Sequence, residues 1–144
     1  MTPILAGRLQ TRLLLMLAVG LPLGLCFGFG MGKLVGALTL LGLALAIGLL
    51  LDPLYTHYQQ RRWDGDWPVL LMVAAGLLEG GMLWLLLQAI MRWRLPFFSS
   101  LLTITHSQFW IMYGTIWLLT LLANLSILPI FSPYRRFKGG RFWD

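Results

Sequence analysis

The side chain with the clearest capacity for chemistry is Glu79, the only acidic residue in the apolar stretch from Val69 to Ile90. A charged carboxylate in bilayer hydrocarbon costs about 3 kcal/mol or more, so such a group takes up a proton or binds hydrogen-bond donors. We therefore expect Glu79 to be largely neutral at pH 7. It is either a polar clasp between helices or a proton- or cation-exchange site, and the lack of a second ionisable group at similar depth favours the clasp.

A polar and aromatic stripe in the last apolar tract offers donors to Glu79. Its members are spaced 4, 3, 4, 3 and 4 residues apart, which places them on one helix face: His106, Trp110, Tyr113, Trp117, Thr120 and Asn124. Such a face is expected to contact protein or water and not acyl chains. The sequence predicts that Tyr113, Thr120 or the Trp117 indole donates a hydrogen bond to Glu79. Asn124 belongs to the same buried polar set.

Catalytic, metal and cofactor sites find little support in the sequence. It has no Walker loop, Rossmann glycine pattern, CxxC, HExxH or nucleophile elbow. His57, Asp64 and Asp66 lie too irregularly for a metal site. We predict no catalytic residue, no metal and no cofactor, with a pigment or a quinone as open alternatives. His106, expected near the membrane interface, is the one weak candidate for ligating a pigment magnesium or a haem.

The elements that carry these residues are predicted to be membrane-spanning helices. Hydrophobic residues make up 58% of the chain and charged residues 11%, whereas a soluble domain has about a quarter charged residues. About 20 apolar residues span the hydrocarbon core. The sequence predicts an all-α integral membrane protein, one domain over residues 1–144 folded as a four-helix transmembrane bundle. The predicted spans are approximately 13–31, 34–51, 69–90 and 108–128.

Glycine and proline positions set the predicted boundaries. Three glycines between Gly28 and Lys33 allow a turn between the first two spans. Asp52-Pro53 is predicted to end the second span, because the residue before a proline disfavours the helical conformation. A loop then follows over 52–68. Residues 97–107 form either an interfacial helix or the beginning of a long tilted last span.

The distribution of basic residues predicts the orientation. Lys and Arg residues near the ends of membrane helices are more frequent on the cytoplasmic side. Both termini and the 52–68 loop carry eight of them, against three on the opposite side (Lys33, Arg92 and Arg94). The eight are Arg8, Arg12, Arg61, Arg62, Arg135, Arg136, Lys138 and Arg141. We expect both termini to be cytoplasmic, in a cell inner membrane or an internal, for example photosynthetic, membrane.

Glycines at every fourth position predict close helix packing, because small residues let helix backbones approach each other in lipid. The first series is expected to form one groove along the first helix, which Pro22 bends locally. A shorter series places a small-residue patch beside Glu79, and Leu41 is expected on a less constrained surface. The two series are Gly20, Gly24, Gly28, Gly32 and Gly36, and Gly76 and Gly80.

Basic and aromatic residues outside the spans predict docking to anionic headgroups or to a partner subunit. They lie in the 52–68 loop, as Arg61 and Arg62, and in the tail 132–144, as Arg135, Arg136, Lys138 and Arg141. Because the topology explains the net charge of +6, nucleic-acid binding is not predicted.

Three functions fit these patterns. The favoured one is a non-catalytic accessory, scaffold or assembly subunit of a larger membrane complex, with other membrane subunits or copies of itself as partners. The alternative is an oligomeric channel or a proton- or cation-coupled transporter that uses Glu79. A membrane enzyme that handles lipid or quinone is the weakest, because His106 and Glu79 are expected at different depths.

Overall fold

Four long helices form the protein in a computed structural model that describes residues 4–61, 68–94 and 96–131, apart from the side chain of Phe97. They are α1 (Leu5–Gly30), α2 (Leu34–Gln60), α3 (Val69–Trp93) and α4 (His106–Phe131). All four are long and apolar enough to cross a membrane, and no strand occurs in the described ranges. The prediction of an all-helical protein with four helices able to span a membrane is confirmed for the described ranges.

A tight turn over Met31–Lys33 joins α1 to α2. Gly32 has a φ of +64°, a left-handed conformation that glycine adopts without strain. The Lys33 N–H donates to the Gly28 carbonyl at 2.8 Å. The Lys33 side chain donates to Gln108 Oε1 at 2.8 Å and to the Thr103 carbonyl, so the turn is fastened to the beginning of α4.

The predicted end of the second span at Asp52-Pro53 is wrong, because α2 continues through Pro53 to Gln60. A proline inside a helix removes one hydrogen bond and costs about 3 kcal/mol. Hydrogen bonds on both sides of Pro53 offset this cost. Asp52 accepts one from Arg12 of α1, and Gln59 accepts one from Arg8 of α1 at 2.6 Å. Neighbouring helices commonly stabilise a proline in a membrane helix in this way.

The two other prolines inside the long helices, Pro22 and Pro129, each follow a widened, π-helical turn. In α1 this turn is Met16–Gly20, two residues before Pro22, and in α4 it is Ala123–Ile127, two residues before Pro129. A proline ring clashes with the carbonyl four residues earlier, and a wider turn relieves the clash. The local irregularity expected at Pro22 is thus a change of helical pitch.

Residues 96–103 form a short 3-10 helix between α3 and α4. It packs inward, since Leu101 is fully buried and Ile104, just after it, is 2% exposed. α4 then begins at His106 behind a capping box, in which Thr105 and Gln108 exchange hydrogen bonds. The last span therefore begins as a separate helix, not as a continuation of 96–103.

An apolar core fills the half of the bundle near the α1–α2 turn. Its members come from the first half of α2, the second half of α3, the 96–104 segment and the first half of α4. They are Ala37, Leu40, Leu41, Leu83, Leu87, Ile90, Leu101, Ile104, Phe109, Met112 and Ile116. The other half of the bundle contains the polar residues described below.

The predicted single groove of the first glycine series is wrong. Gly24 and Gly28 of α1 face α2, where a Cβ at Gly28 would lie 2.9 Å from the Leu34 Cα. Gly32 is in the turn, and Gly36 belongs to α2, packed against the Ser100 carbonyl. The helix ends before Gly32, so a fourfold spacing that crosses a turn does not stay on one face.

Leu41 is also placed differently from the prediction, because it is 7% exposed and its side chain occupies the space opposite Gly24. Gly20, the first member of the series, lies against the Met16 side chain and Ile116 of α4. In the second series, Gly76 admits the Trp117 ring and Gly80 the Tyr113 ring. These glycines therefore bring α3 and α4 together.

Candidate functional site

The centre of the polar half is Arg12, whose guanidinium binds two carboxylates at once. Its Nε and Nη2 donate to Asp52 at 2.9 and 3.0 Å. Its Nη1 and Nη2 donate to Glu79 at 2.9 and 2.8 Å. Arg12 belongs to α1, Asp52 to α2 and Glu79 to α3, so one side chain joins three helices. We call these three residues the Arg12 network.

Helix geometry puts the Arg12 network well inside the bundle. At 1.5 Å per residue, Arg12 lies about 10 Å from the first residue of α1, Asp52 about 12 Å from the last of α2 and Glu79 about 15 Å from the first of α3. The Asp52 side chain is 3% exposed, Glu79 14% and Arg12 23%. At this degree of burial, the low dielectric constant of the bundle strengthens each ionic hydrogen bond.

Gly48 makes the position of Arg12 possible. It lies one turn before Asp52 on the same face of α2, and any Cβ there would overlap the Arg12 guanidinium. Gly48 was not among the glycines selected from the sequence. Its spacing of four residues from Asp52 is the one signal that the sequence offers.

A second layer of polar contacts surrounds the Arg12 network. Arg8 Nη2 donates to Gln59 Oε1 at 2.6 Å, one turn closer to the end of the bundle, and Gln59 is 4% exposed. The Tyr55 hydroxyl lies 3.5 Å from the Ala75 carbonyl and so reaches from α2 to α3. Charged and hydrogen-bonding groups of α1, α2 and α3 thus form one continuous cluster.

Glu79 has a partner different from those predicted. Tyr113 donates to the Gly76 carbonyl at 2.7 Å, and Thr120 donates to the Trp117 carbonyl at 2.8 Å. The preference for a clasp over an ion site rests on the absence of another ionisable group at the depth of Glu79, and Arg12 and Asp52 contradict that premise. The sequence predicts Arg12 at the membrane surface, because the apolar tract begins only at Leu13.

A cavity of about 250 Å³ adjoins the Arg12 network. The predicted polar face of α4 reaches it through Tyr113, Trp117, Thr120 and Asn124. Asn124 Nδ2 also lies 3.8 Å from the Met72 sulfur. All five predicted polar candidates, Glu79 and the four residues of α4, therefore line one cavity. None of the four α4 side chains bonds to Glu79.

The remaining members of the α4 stripe lie apart from this cavity. His106 and Trp110 are exposed and pack around Trp84, with the His106 and Trp84 ring centres 4.3 Å apart at 71°. Within the described ranges, no three His, Cys, Asp or Glu side chains meet as metal ligands.

The predicted docking residues are largely outside the described ranges. Arg61 is described and exposed, at the end of α2. Arg62 and the tail residues Arg135, Arg136, Lys138 and Arg141 lie outside the described residues.

Comparisons of the chain with protein-family models, curated proteins and solved structures give no match.

Proposed function

We propose that this chain is a non-catalytic accessory, scaffold or assembly subunit of a larger membrane complex. The observation that carries the proposal is the bonding of Arg12 to Asp52 and Glu79 together. A guanidinium that uses four of its five N–H groups on two carboxylates is suited to holding three helices in a fixed arrangement. Such a rigid bundle can present its outer faces to other subunits.

Outward-facing glycines support a role in assembly. Gly42 of α2, Gly81 of α3 and Gly114 of α4 have open space where a Cβ would stand. They are therefore not required for packing within the described part of the chain. Small residues on outer faces allow a further membrane helix to approach closely.

The test is purification of tagged protein in a mild detergent, followed by mass spectrometry of the bound subunits. We expect stoichiometric partners, and we expect Gly42→Leu or Gly114→Leu to remove them while the monomer still folds. Leu50→Phe is the matched control, because Leu50 is 74% exposed and already bulky. A monomer with no protein partner under these conditions would contradict the proposal.

A proton- or cation-coupled transporter is a second candidate, favoured by a specific observation. Asp52 and Arg12 lie at the depth of Glu79, beside a cavity. Intramembrane ionisable groups that cluster around a cavity are characteristic of ion pathways. The chain would then act as an oligomer in which Glu79 exchanges a proton or a cation.

Glu79→Gln separates the two candidates, because it removes the charge and keeps the size and hydrogen-bonding capacity. If the chain is a transporter, Glu79→Gln should abolish proton or cation flux in proteoliposomes while partner binding persists. Asp52→Asn is the matched variant that removes the other carboxylate. Wild-type flux in both variants, or no flux in the wild type, would refute transport.

Orientation and membrane contacts belong to the same proposal. Both termini face the cytoplasm of a cell inner membrane or the equivalent side of an internal membrane, as the distribution of basic residues favours. Arg61, Arg62 and the basic tail then contact anionic headgroups or a partner subunit.

A further inference from the structure

The cavity beside the Arg12 network has two chemically different ends. One end lies near the beginning of α1 and the last turns of α2, where it is lined by Arg8, Asp52 and Tyr55. Leu40, Leu83 and Met112 line the other end deeper in the bundle and belong to the apolar core. A polar end in one half of the bundle and an apolar end in the other half match an amphiphile that lies along the helix axes.

The charges that line the cavity balance. Two guanidinium groups, of Arg8 and Arg12, are opposed by the carboxylates of Asp52 and Glu79. A ligand with a net charge would have no unmatched counterion here, and an unmatched charge inside a membrane costs about 3 kcal/mol or more. The charge balance therefore selects a headgroup without net charge.

Hydrogen-bonding capacity points to a hydroxyl. Trp117 lines the cavity, and its indole N–H, which lies beside Gly76, makes no hydrogen bond to another described residue. Each carboxylate oxygen of Asp52 accepts one bond from Arg12 and retains a second lone pair, whereas Glu79 is hydrogen-bonded to Tyr55 as well as to Arg12. A hydroxyl can accept from an indole and donate to a carboxylate, which neither a carboxylate nor a quaternary ammonium headgroup can do.

We propose that this cavity binds an uncharged, hydroxyl-bearing amphiphile, such as a long-chain alcohol, a prenol or a quinol. Its hydroxyl lies among Glu79, Asp52 and Trp117, and its chain lies along Leu40, Leu83 and Met112. Pockets for drug-sized ligands have volumes of about 300–1,000 Å³, so the cavity of about 250 Å³ holds the hydroxyl end of the amphiphile and the first part of its chain. This inference does not depend on the proposed function, because an accessory subunit and a transporter can each hold such a ligand.

The experiment uses the full chain in uncharged phosphatidylcholine nanodiscs and three bromoalkyl probes of equal chain length. One probe is an alcohol, one a carboxylate and one a trimethylammonium. Bromine quenches tryptophan fluorescence, so variants that retain only Trp117 or only Trp93 report the cavity and the lipid-exposed surface, where Trp93 is 74% exposed. We expect saturable quenching of Trp117 by the alcohol alone, and only linear, partition-driven quenching of Trp93.

A filling variant locates the binding. Ala44→Phe should weaken the alcohol at least about tenfold, because Ala44 lines the cavity. Ala46→Phe, on the exposed face of the same helix, should leave binding unchanged. If Ala44→Phe or a single-tryptophan variant does not fold, native mass spectrometry of the unaltered protein with the three probes decides. Equal binding of a charged probe, or no saturable binding of the alcohol, would overturn the inference.

Discussion

Arg12 gathers more of the ionic hydrogen bonds described in this protein than any other side chain, which makes the Arg12 network sensitive to partial removal. A buried ion pair that loses one partner leaves an uncompensated charge and costs about 3–5 kcal/mol, whereas replacement of all partners by apolar residues is often neutral or stabilising. Single and complete replacement therefore have opposite consequences for the fold.

The first prediction follows from this asymmetry. Arg12→Met alone should lower the free energy of unfolding by about 3–5 kcal/mol, because Asp52 and Glu79 then repel each other. The triple variant Arg12→Met, Asp52→Leu, Glu79→Met should recover most of the loss. Thermal or denaturant unfolding in detergent, followed by circular dichroism, gives both values. A triple variant less stable than the single one would show that the charges contribute net stability.

The second prediction concerns the space that Gly48 provides. Gly48→Ala should displace the Arg12 guanidinium and cost about 1–3 kcal/mol, as overpacking does. Gly42→Ala on the same helix has open space and should cost little. The same unfolding measurement compares them. Equal stability of the two variants would mean that Arg12 can rotate away without loss.

At the residue scale, the sequence identified Glu79 but not its partner. Glu79 stands out because nothing polar surrounds it along the chain, so local context is enough to select it. Arg12 and Asp52 each flank an apolar tract, where a charge is ordinarily at the membrane surface. Only the three-dimensional course of α1 and α2, which extend past these residues, brings both into the bundle.

At the element scale, the close approach of α1 to α2 depends on what each glycine faces. A Cβ at Gly28 would press on the Leu34 backbone, 2.9 Å from its Cα, and backbone cannot rotate away. A Cβ at Gly24 would meet the end of the Leu41 side chain, which can adopt another rotamer.

The third prediction is therefore a ranking. Gly28→Ala should destabilise the protein by about 1–3 kcal/mol and Gly24→Ala by less. Unfolding in detergent measures the difference, and Gly81→Ala in α3, which has open space, is the control. If Gly24→Ala is the more damaging, the α1–α2 hairpin is held by side-chain packing around Leu41 instead of backbone contact.

The number of helices was predictable, whereas their ends were not. Apolar length gives four spans once the tract 13–51, which is about twice the bilayer thickness, is divided at the glycine-rich turn. A local rule predicts that the helix ends at Asp52-Pro53, but the contacts of Asp52 and Gln59 with α1 maintain the helix through Pro53. Tertiary contacts of this kind leave no mark in the local sequence.

At the scale of the whole molecule, the structure refines the basis of the orientation prediction. Arg12 is committed to the Arg12 network and Arg8 to Gln59, so neither is a freely exposed surface charge. Without these two, six of the eight basic residues remain on the side of the termini, against three on the other. The asymmetry persists, and the positive-inside rule still favours cytoplasmic termini.

The last prediction tests that orientation by cysteine labelling. Cys26 is the only cysteine and is exposed, so it is first replaced by serine. Gln60→Cys and Asp144→Cys should react with a membrane-impermeant thiol reagent only after the cells are permeabilised, and Gly30→Cys should react in intact cells. Gln60 is chosen because it is exposed whereas Gln59 is buried.

Four spans require Gln60 and Asp144 to share a side, since two helices, α3 and α4, lie between them. Opposite sides for these two positions would therefore mean that α3 or α4 does not cross the membrane, and the Arg12 network would lose its transmembrane setting. If all three positions react on the side opposite to the one expected, the four-helix bundle is retained. Such a result would reverse the orientation and place the polar end of the cavity in the outer half of the membrane.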